Sequence, residues 1–465
     1  MNAQTYSMNR RLFLGQSVGG LGSIALAHLL GQENAQASTA TASPTGQARA
    51  VISLFQHGGP SQVDLFDPKP MLTKMHGKSY GGDLKFRNPG TTKRILGSPF
   101  AFKKHGQSGI ELSELLPHTA EIVDDMTLIR SMVTKASDHT AAIRLINTGQ
   151  FLPGSPVLGS WVVYGLGAET NSLPAYVALV QNNYPTDGVG NWSSGWLPAE
   201  FQGTPFRSGS TPVQYLKTPQ RFTPDARTGQ LDLISQLNRS HQQRHPENSE
   251  LLARIKDFET AARMQTAVPE VLDFSDEPQE IQKMYGLDSP NPKTRDYARR
   301  CLLSRRLIER GVRFVQVCMG SQPWDTHNKN VSRLKELCQT TDQPSAALVK
   351  DLKQRGMLDE TVVMWGGEFG REPISEGADG RDHNPQGFSL WLAGGGFKAG
   401  YVHGETDELG CRAVTDTVNV HNLHATLLHS LGINHKKLTV PHEGREVSLV
   451  DSPVTGADIT PGLLA

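Results

Sequence analysis

Residues 361–403 read TVVMWGGEFGREPISEGADGRDHNPQGFSLWLAGGGFKAGYVH. A β-branched and apolar run (361–365) stops at Gly366 and Gly367, and a carboxylate, Glu368, and an arginine, Arg371, follow it. A loop holding Arg381, Asp382 and His383 then leads to a second apolar run, 388–393. An apolar strand that ends at glycines and presents charged groups predicts an open α/β sheet with a site at its carboxyl edge. In that arrangement buried strands keep still the loops that carry the chemistry. Upstream, Trp324-Asp325-Thr326-His327 follows another largely apolar run, 313–317. Asp325, His327, Glu368, Asp382 and His383 together have the donor chemistry for a hard or borderline divalent metal.

The chain has 465 residues, long enough for one large α/β domain with insertions or for two domains. Charged residues make up 20% and hydrophobic ones 37%, the balance of an ordinary globular protein. Lys+Arg and Asp+Glu number 46 each, so no global field favours nucleic acid or an anionic membrane surface, and nucleic-acid binding is set aside. Cys301, Cys318, Cys338 and Cys411 form no CxxC pair, which predicts buried thiols rather than a zinc finger or a disulfide scaffold.

The first residues speak to the compartment. Asn9-Arg10-Arg11-Leu12-Phe13-Leu14 precedes a run to Leu30 without formal charge and rich in Gly, Ala, Ser and Leu, and Asn34-Ala35-Gln36-Ala37 offers a small-residue cleavage site before Ser38. Residues 1–37 therefore read as a twin-arginine signal peptide, which implies a periplasmic or secreted protein with no stable membrane insertion after cleavage. Residues 38–47 read as a flexible linker and 48–465 as the folded domain.

Residues 50–55 predict the first strand, ending in QHGGPSQVDLFDPKP (56–70), which leaves His57, Ser61 and Asp64 at its carboxyl end. The same residues also suit a tight turn in which Asp64 caps the next segment. Residues 71–110 predict surface loops or a small hairpin, 115–124 a helix and 127–132 a strand. Ser137-Asp138-His139-Thr140 before an Ala-rich helical pattern (141–147) is an N-cap signature. The free N–H groups of such a helix start also favour an anion or an activated nucleophile. The aromatic group Trp192, Trp196 and Phe201 covers a core edge or lines a sugar-binding face. Residues 225–265 predict an exposed helical excursion. Beyond it, helix (295–310), strand (312–318) and helix (331–355) alternate, with Gly311 and Gly356 as stops, which predicts a mainly parallel sheet. A last helix, 419–431, carries His421 and His424 three residues apart, on the helix surface or as metal donors.

LFQHGGPSQVDLFDPKP (54–70), SDHTAAIRLINTG (137–149), WDTH (324–327), GGEFGREP (366–373), GRDHNPQGFSLWLAGGGFKAG (380–400) and HNLHATLLHSLGI (421–433) resemble the DUF1501 family. These are exported bacterial proteins with sulfatase-like relatives in the alkaline phosphatase superfamily. The resemblance implies an α/β sandwich with a mainly parallel central sheet flanked by helices, and a site for one or two metal ions at the carboxyl ends of the strands. It implies that Asp325 and His327 match the family's Asp…His pair, His383 a later metal histidine, and His57 or Asp64 the first-strand ligand. Glu368-Phe369 stands where Asp-His or Asp-Asn sits in the superfamily, and the nucleophile position falls on His139 or Thr140. The formylglycine motifs C-x-P-x-R and C-x-A-x-R are absent from the sequence.

The resulting expectation is an exported metal-dependent hydrolase of phosphate or sulfate esters, acting on an anionic ester such as a sulfated or phosphorylated glycan or small molecule. Asp325, His327 and His383 would hold one ion of zinc, manganese or iron. Glu368 with Asp64 or His139 would hold a second or orient water. The nucleophile would be Thr140 or a metal-activated water. Arg371 and Arg381 would fork onto the ester's oxygens, or else pair with Glu368 and Asp382. The alternative is a non-catalytic exported module that keeps the fold and a metal for binding or assembly.

Overall fold

The structure, a computed structural model, describes residues 47–82, 91–209, 212–213, 216, 223–244 and 249–465. The expected signal peptide and almost all of the linker lie outside the described residues. Among the described residues no helix is long and apolar enough to cross a membrane.

Among the described residues the chain builds a nine-stranded sheet. Its strands include β1 (Ala50–Phe55), β2 (Met126–Val133), β3 (Tyr176–Val180), β4 (Thr204–Arg207), β5 (Phe314–Cys318) and β6 (Thr361–Gly366). A hairpin, β7 (Gly370–Glu376) and β8 (Gly380–Asn384), then leaves the sheet, and the chain returns as β9 (Phe388–Ala393) and β10 (Tyr401–His403). The order is β10-β2-β9-β6-β1-β5-β3-β4, with Val418–Asn419 also on β2. β6, β1, β5, β3 and β4 are parallel, with Val51 opposite Val362 on one side and Phe314 on the other.

Every residue of β1, β3, β5 and β6 is buried, because both faces of the sheet are covered. The alternating side chains sort into two cores. Ile52 and Leu54 join Leu302 of α5 (Pro292–Glu309) and Leu348 of α6 (Asn330–Gln354) on one face. Val51 and Phe55 join Trp161 of α2 (Leu158–Leu166) and Leu423 of α7 (Val420–Ser430) on the other. The result is the α/β architecture expected from the sequence, a mainly parallel sheet between helices. Between α2 and α5 lie α3 (Pro224–Arg244) and α4 (Ser249–Leu272), and α4 docks Val268 and Val271 into the first core.

Several local expectations change. The loop expected around Arg381, Asp382 and His383 is strand β8, paired antiparallel to β7. β9 runs antiparallel to both β6 and β2. The connection from β6 to β9 is a hairpin that stays at the carboxyl edge, and a parallel return needs a crossover to the opposite edge. The helix expected at 115–124 is the single 3-10 segment Thr119–Asp125. Within 71–110, strand Thr91–Ile95 pairs with β7, and Phe102–His105 begins a separate hairpin with Ile110–Ser113. Trp192 is buried, Trp196 meets Trp161 edge-on at 5.5 Å and stacks on His442 at 4.6 Å, so these aromatics close a core edge. All four cysteines are buried thiols outside any disulfide.

The parallel strands and β2 end on one edge, and close backbone approaches there bring the loops together. Gly58, just past β1, has φ +111°, and a Cβ on it would stand 2.5 Å from Asp325 N and 2.8 Å from Trp324 C. Only glycine fits both the dihedral and the gap. Gly58→Ala is therefore expected to destabilise the fold by more than about 1 kcal/mol and to displace the Asp325 loop. Thermal denaturation checks the first, and a Tm equal to that of the parent would contradict it.

Candidate metal centre

α1 (His139–Thr148) begins immediately after the β2 connection, where the Asp138 carboxylate accepts the Ala141 N–H at 2.9 Å. The helix ends at Gly149 in the left-handed conformation, φ 72°. His421 and His424 of α7 donate Nε2–H to the carbonyls of Gly149 and Ile146, each at 2.8 Å. Burial lowers both imidazole pKa values, His424 to about 3, so they are neutral donors that satisfy the last turn of α1. The two histidines fasten the far end of the helix whose first residue is His139.

Asp325 and His327 come from the loop after β5. That loop is pinned by Arg333, which donates to the carbonyls of Asp325 (2.6 Å) and Pro323 (3.0 Å), and by the Trp324 indole on Gln56 Oε1 at 3.0 Å. His383 comes from β8, whose Arg381 N–H bonds Thr326 O at 3.1 Å. Gly380 lets the strand approach, because a Cβ there would run into the His327 carbonyl.

Three imidazoles thus converge on one carboxylate oxygen. From Asp325 Oδ1, Nε2 of His327 lies at 2.9 Å, of His139 at 3.2 Å and of His383 at 3.4 Å. One ligand atom from each of these four residues falls within 4.8 Å of the others. Nε2 of His327 and His383 are 3.0 Å apart.

The opposite nitrogens are all occupied. His139 Nδ1 bonds Glu368 Oε1 at 2.6 Å, His383 Nδ1 bonds the Ser137 carbonyl at 2.6 Å, and His327 Nδ1 bonds Glu376. A carbonyl or carboxylate oxygen only accepts, so each Nδ1 carries a proton, which leaves each inward Nε2 as the atom that can offer its lone pair to an ion. His139 Nε2 is buried without hydrogen-bond geometry to any partner among the described residues, although Asp325 lies 3.2 Å away. Three inward Nε2 atoms, one of them orphaned and buried, together with one carboxylate fit a cation ligated by nitrogen and oxygen.

The electrostatics agree. Burial would raise the Asp325 pKa, but the three imidazoles and Arg371 overcome it and hold the carboxyl far below the usual range. Burial opposes protonation of His139, yet Asp325 and Glu368 outweigh it and raise its pKa. The Asp325 hydrogen bond raises that of His327, against burial and with help from Glu376.

The other residues singled out in the sequence stand elsewhere. Glu368 is fully buried and is not among the clustered ligand atoms; it accepts the Gly58 N–H with both oxygens, at 2.9 and 3.1 Å, and orients His139. Arg371 has no exposed surface. It donates to Asp325 Oδ1 at 2.6 Å, to the carbonyls of Gly59 (3.0 Å) and Arg381 (3.1 Å), and to Gly58. Arg381 grips Asp64 at 2.7 and 3.1 Å, both wholly buried, with Ser61 and Asn330 completing the carboxylate's contacts. The close ion pairs of the two arginines are therefore with Asp325 and Asp64, while Glu368 and Asp382 reach Arg371 through their charge, and neither arginine has exposed surface. Asp64 is spent on Arg381 away from the cluster.

His57 is not one of the four clustered residues; it is buried with Nε2 3.4 Å from Asn191 Oδ1, and burial lowers its pKa to about 4 against the opposing field of Glu368. Thr140 is half-buried beside His139 at the start of α1. Glu376 and the packing role of Phe369 are not anticipated in the sequence: Glu376 forms a second group with His327 and Asp382, and Phe369 stacks on His383 at 4.4 Å. The signal for Glu376 was the turn chemistry of Gly377-Ala378-Asp379-Gly380, which predicts a hairpin and so places Glu376 opposite Gly380.

The family model described as "Protein of unknown function (DUF1501)" matches residues 48–460, and the chain belongs to that family. No curated protein matches the sequence. Among solved structures, the chain is similar to a lipoteichoic acid synthase from Listeria monocytogenes, with TM-score 0.39 and 9% identity over 87% of this chain and 76% of that one. It is similar to a sulfatase from Pseudoalteromonas sp., with TM-score 0.37 and 12% identity over 83% of this chain and 68% of that one. A third is alkaline phosphatase from the Antarctic bacterium TAB5, with TM-score 0.30 and 10% identity over 75% of this chain and 92% of that one.

Glu376→Gln keeps the size of the His327 partner and removes its charge. It is expected to weaken zinc binding by about 10- to 100-fold with Tm little changed, read by competition with a chelating dye. The pH dependence of the chelated protein has a definite sign. Raised folded pKa values for His139 and His327 mean that their stabilisation is complete below about pH 6.5, the unfolded value, and is lost as pH rises through the folded values. The chelated protein should therefore melt at a lower temperature near about pH 9 than near about pH 6. A Tm that climbs over this interval would count against the assignment.

Proposed function

We propose that this protein is an exported metal-dependent hydrolase of phosphate or sulfate esters, with residues 48–465 as its folded unit and residues 1–37 as a twin-arginine signal. The observation that carries the reading is the inward convergence of three Nε2 atoms and Asp325 Oδ1, with each Nδ1 held from behind. His139, His327, His383 and Asp325 would hold the ion, and this nitrogen-rich set suits zinc, manganese or iron. The chemistry that an ion supplies at such a site is Lewis acidity toward a phosphoryl or sulfuryl oxygen.

The remaining residues hold and orient. Glu368 and Glu376 accept the Nδ1 protons of His139 and His327 and so fix the tautomers. Arg371 adds to the imidazoles in keeping Asp325 ionised and holds its Oδ1 in place. Phe369 walls the His383 side and keeps that ring from turning. Thr140, adjacent to His139 at the helix start, offers a hydroxyl as nucleophile, and a water is the alternative. Glu376 and Asp382 beside His327 are the group available for a second ion.

Metal analysis combined with aryl-phosphate and aryl-sulfate assays tests this reading. The expected outcome is about one metal equivalent or more per chain, with turnover that chelation abolishes and His383→Ala removes. Stoichiometric metal without turnover on either ester class would replace the hydrolase with a metal-binding assembly module.

A further inference from the structure

An ester hydrolase must also grip the anionic oxygens that the metal leaves unmet. Arg371 and Arg381 are excluded from that task, because both side chains are 0% exposed and committed to a carboxylate, Asp325 or Asp64, and to backbone carbonyls. We propose that Arg144 is the residue that contacts the substrate's anionic oxygens, with Asp187 as its displaceable counter-ion; this rests on the ester-hydrolase reading of the same site.

Arg144 lies on α1, five residues after His139 and four after Thr140. Residues at i and i+4 share a helix face, about 6 Å apart along the axis, and helical side chains lean back toward the N-terminus. The Arg144 side chain therefore leans toward the His139 end of the helix. Its Nε and Nη2 both bond the single oxygen Asp187 Oδ1, at 3.0 and 2.6 Å. Asp187 belongs to the loop after β3 and sits at φ 69°.

That loop runs along the rim that holds the cluster. Pro185 bridges Ser321, Ser321 N donates to Tyr184 O at 3.2 Å, and Gly320 N donates to Gln181 Oε1 at 2.8 Å. Residues 320 and 321 belong to the segment leading from β5 to Asp325. Asn191 stiffens the loop from within, donating to the carbonyls of Thr186 (2.7 Å) and Gly188 (3.0 Å) and accepting from Asn147 of α1 at 3.1 Å. Arg144 thus spans the helix that presents His139 and the loop beside Asp325.

Its chemistry fits the task. The side chain is 25% exposed and its partner 14%, so the pair can open at small cost, whereas the guanidinium groups of Arg371 and Arg381 have no exposed surface. A planar guanidinium presents two parallel N–H donors that match a phosphate or sulfate edge. The field of Asp138, at the start of α1, also reaches Arg144 and adds to the effect of the Asp187 hydrogen bond in raising its pKa.

The test uses the metal-loaded full chain with inorganic phosphate as the probe, read by calorimetry, and an aryl phosphate for kinetics. Arg144→Ala and Arg144→Gln should each weaken phosphate binding and raise KM by about 10- to 100-fold, with metal content unchanged. Asp187→Asn keeps the shape of the pair and removes the countercharge, so it should tighten phosphate binding. Opposite signs for the two positions are the signature of an anion contact; a structural clasp would move both the same way or neither. Parent protein that binds phosphate, with Arg144 variants that bind it equally well, overturns the Arg144 assignment alone. Parent protein that binds no phosphate and turns over no aryl phosphate overturns this assignment and the phosphate-ester reading together.

Discussion

One carboxylate oxygen, Asp325 Oδ1, faces three imidazole nitrogens and a guanidinium, and most of the surrounding architecture serves that meeting. The groups come from beyond the ends of two strands, β2 and β5, and from β7 and β8, separated by up to 244 residues between His139 and His383. No local propensity brings them together. Each approach is enforced by something specific: Gly58 against the Asp325 backbone, Gly380 against the His327 carbonyl, and α7 against the far end of α1. Crowding ring nitrogens at this spacing is unfavourable unless protons or a cation lie between them, which is why the cluster reads as a binding site rather than as packing.

Behind the inward-facing atoms runs a second layer that closes on itself. Arg371 ties Asp325 to the carbonyls of Gly58 and Gly59; Gly58 N–H ties to Glu368; Glu368 ties to His139, and His139 faces Asp325 again. The ring explains why Arg371 and Glu368, which look like substrate and metal residues in a one-dimensional reading, are fully buried. Removing either partner would strand a charge in the interior, a loss of about 3–5 kcal/mol in comparable buried pairs. Asp64 and Arg381 repeat the arrangement one layer further out and lock β8 to the loop after β1.

Much of the sheet was legible because strands covered on both faces leave continuous apolar runs; the runs at 50–55, 361–365 and 388–393 fall on β1, β6 and β9. The direction of β9 was not legible, since an apolar run carries no polarity and the hairpin before it sets the sense. Asp325, His327 and His383 were recognisable as donors because polar groups follow strand ends. His139 was divided between nucleophile and ligand, because Ser-Asp-His-Thr before a helix is also an ordinary cap, and Asp138 does cap it. Glu376 passed unnoticed, because its value arises only when β7 and β8 pair.

The sequence by itself determined the inventory: which segments are apolar enough to be strands, where glycines stop them, and which carboxylates, imidazoles and arginines follow. Only the tertiary structure decided how those charged groups divide between holding and being held. Burial and partner choice depend on neighbours hundreds of residues away, so Arg371 and Arg381 lose their solvent and their freedom together, while Arg144, marked by nothing in its own segment, keeps some of both. The physical reason is that residue type sets a side chain's donors and charge, whereas desolvation and contact geometry, which decide what that charge does, belong to the packed whole.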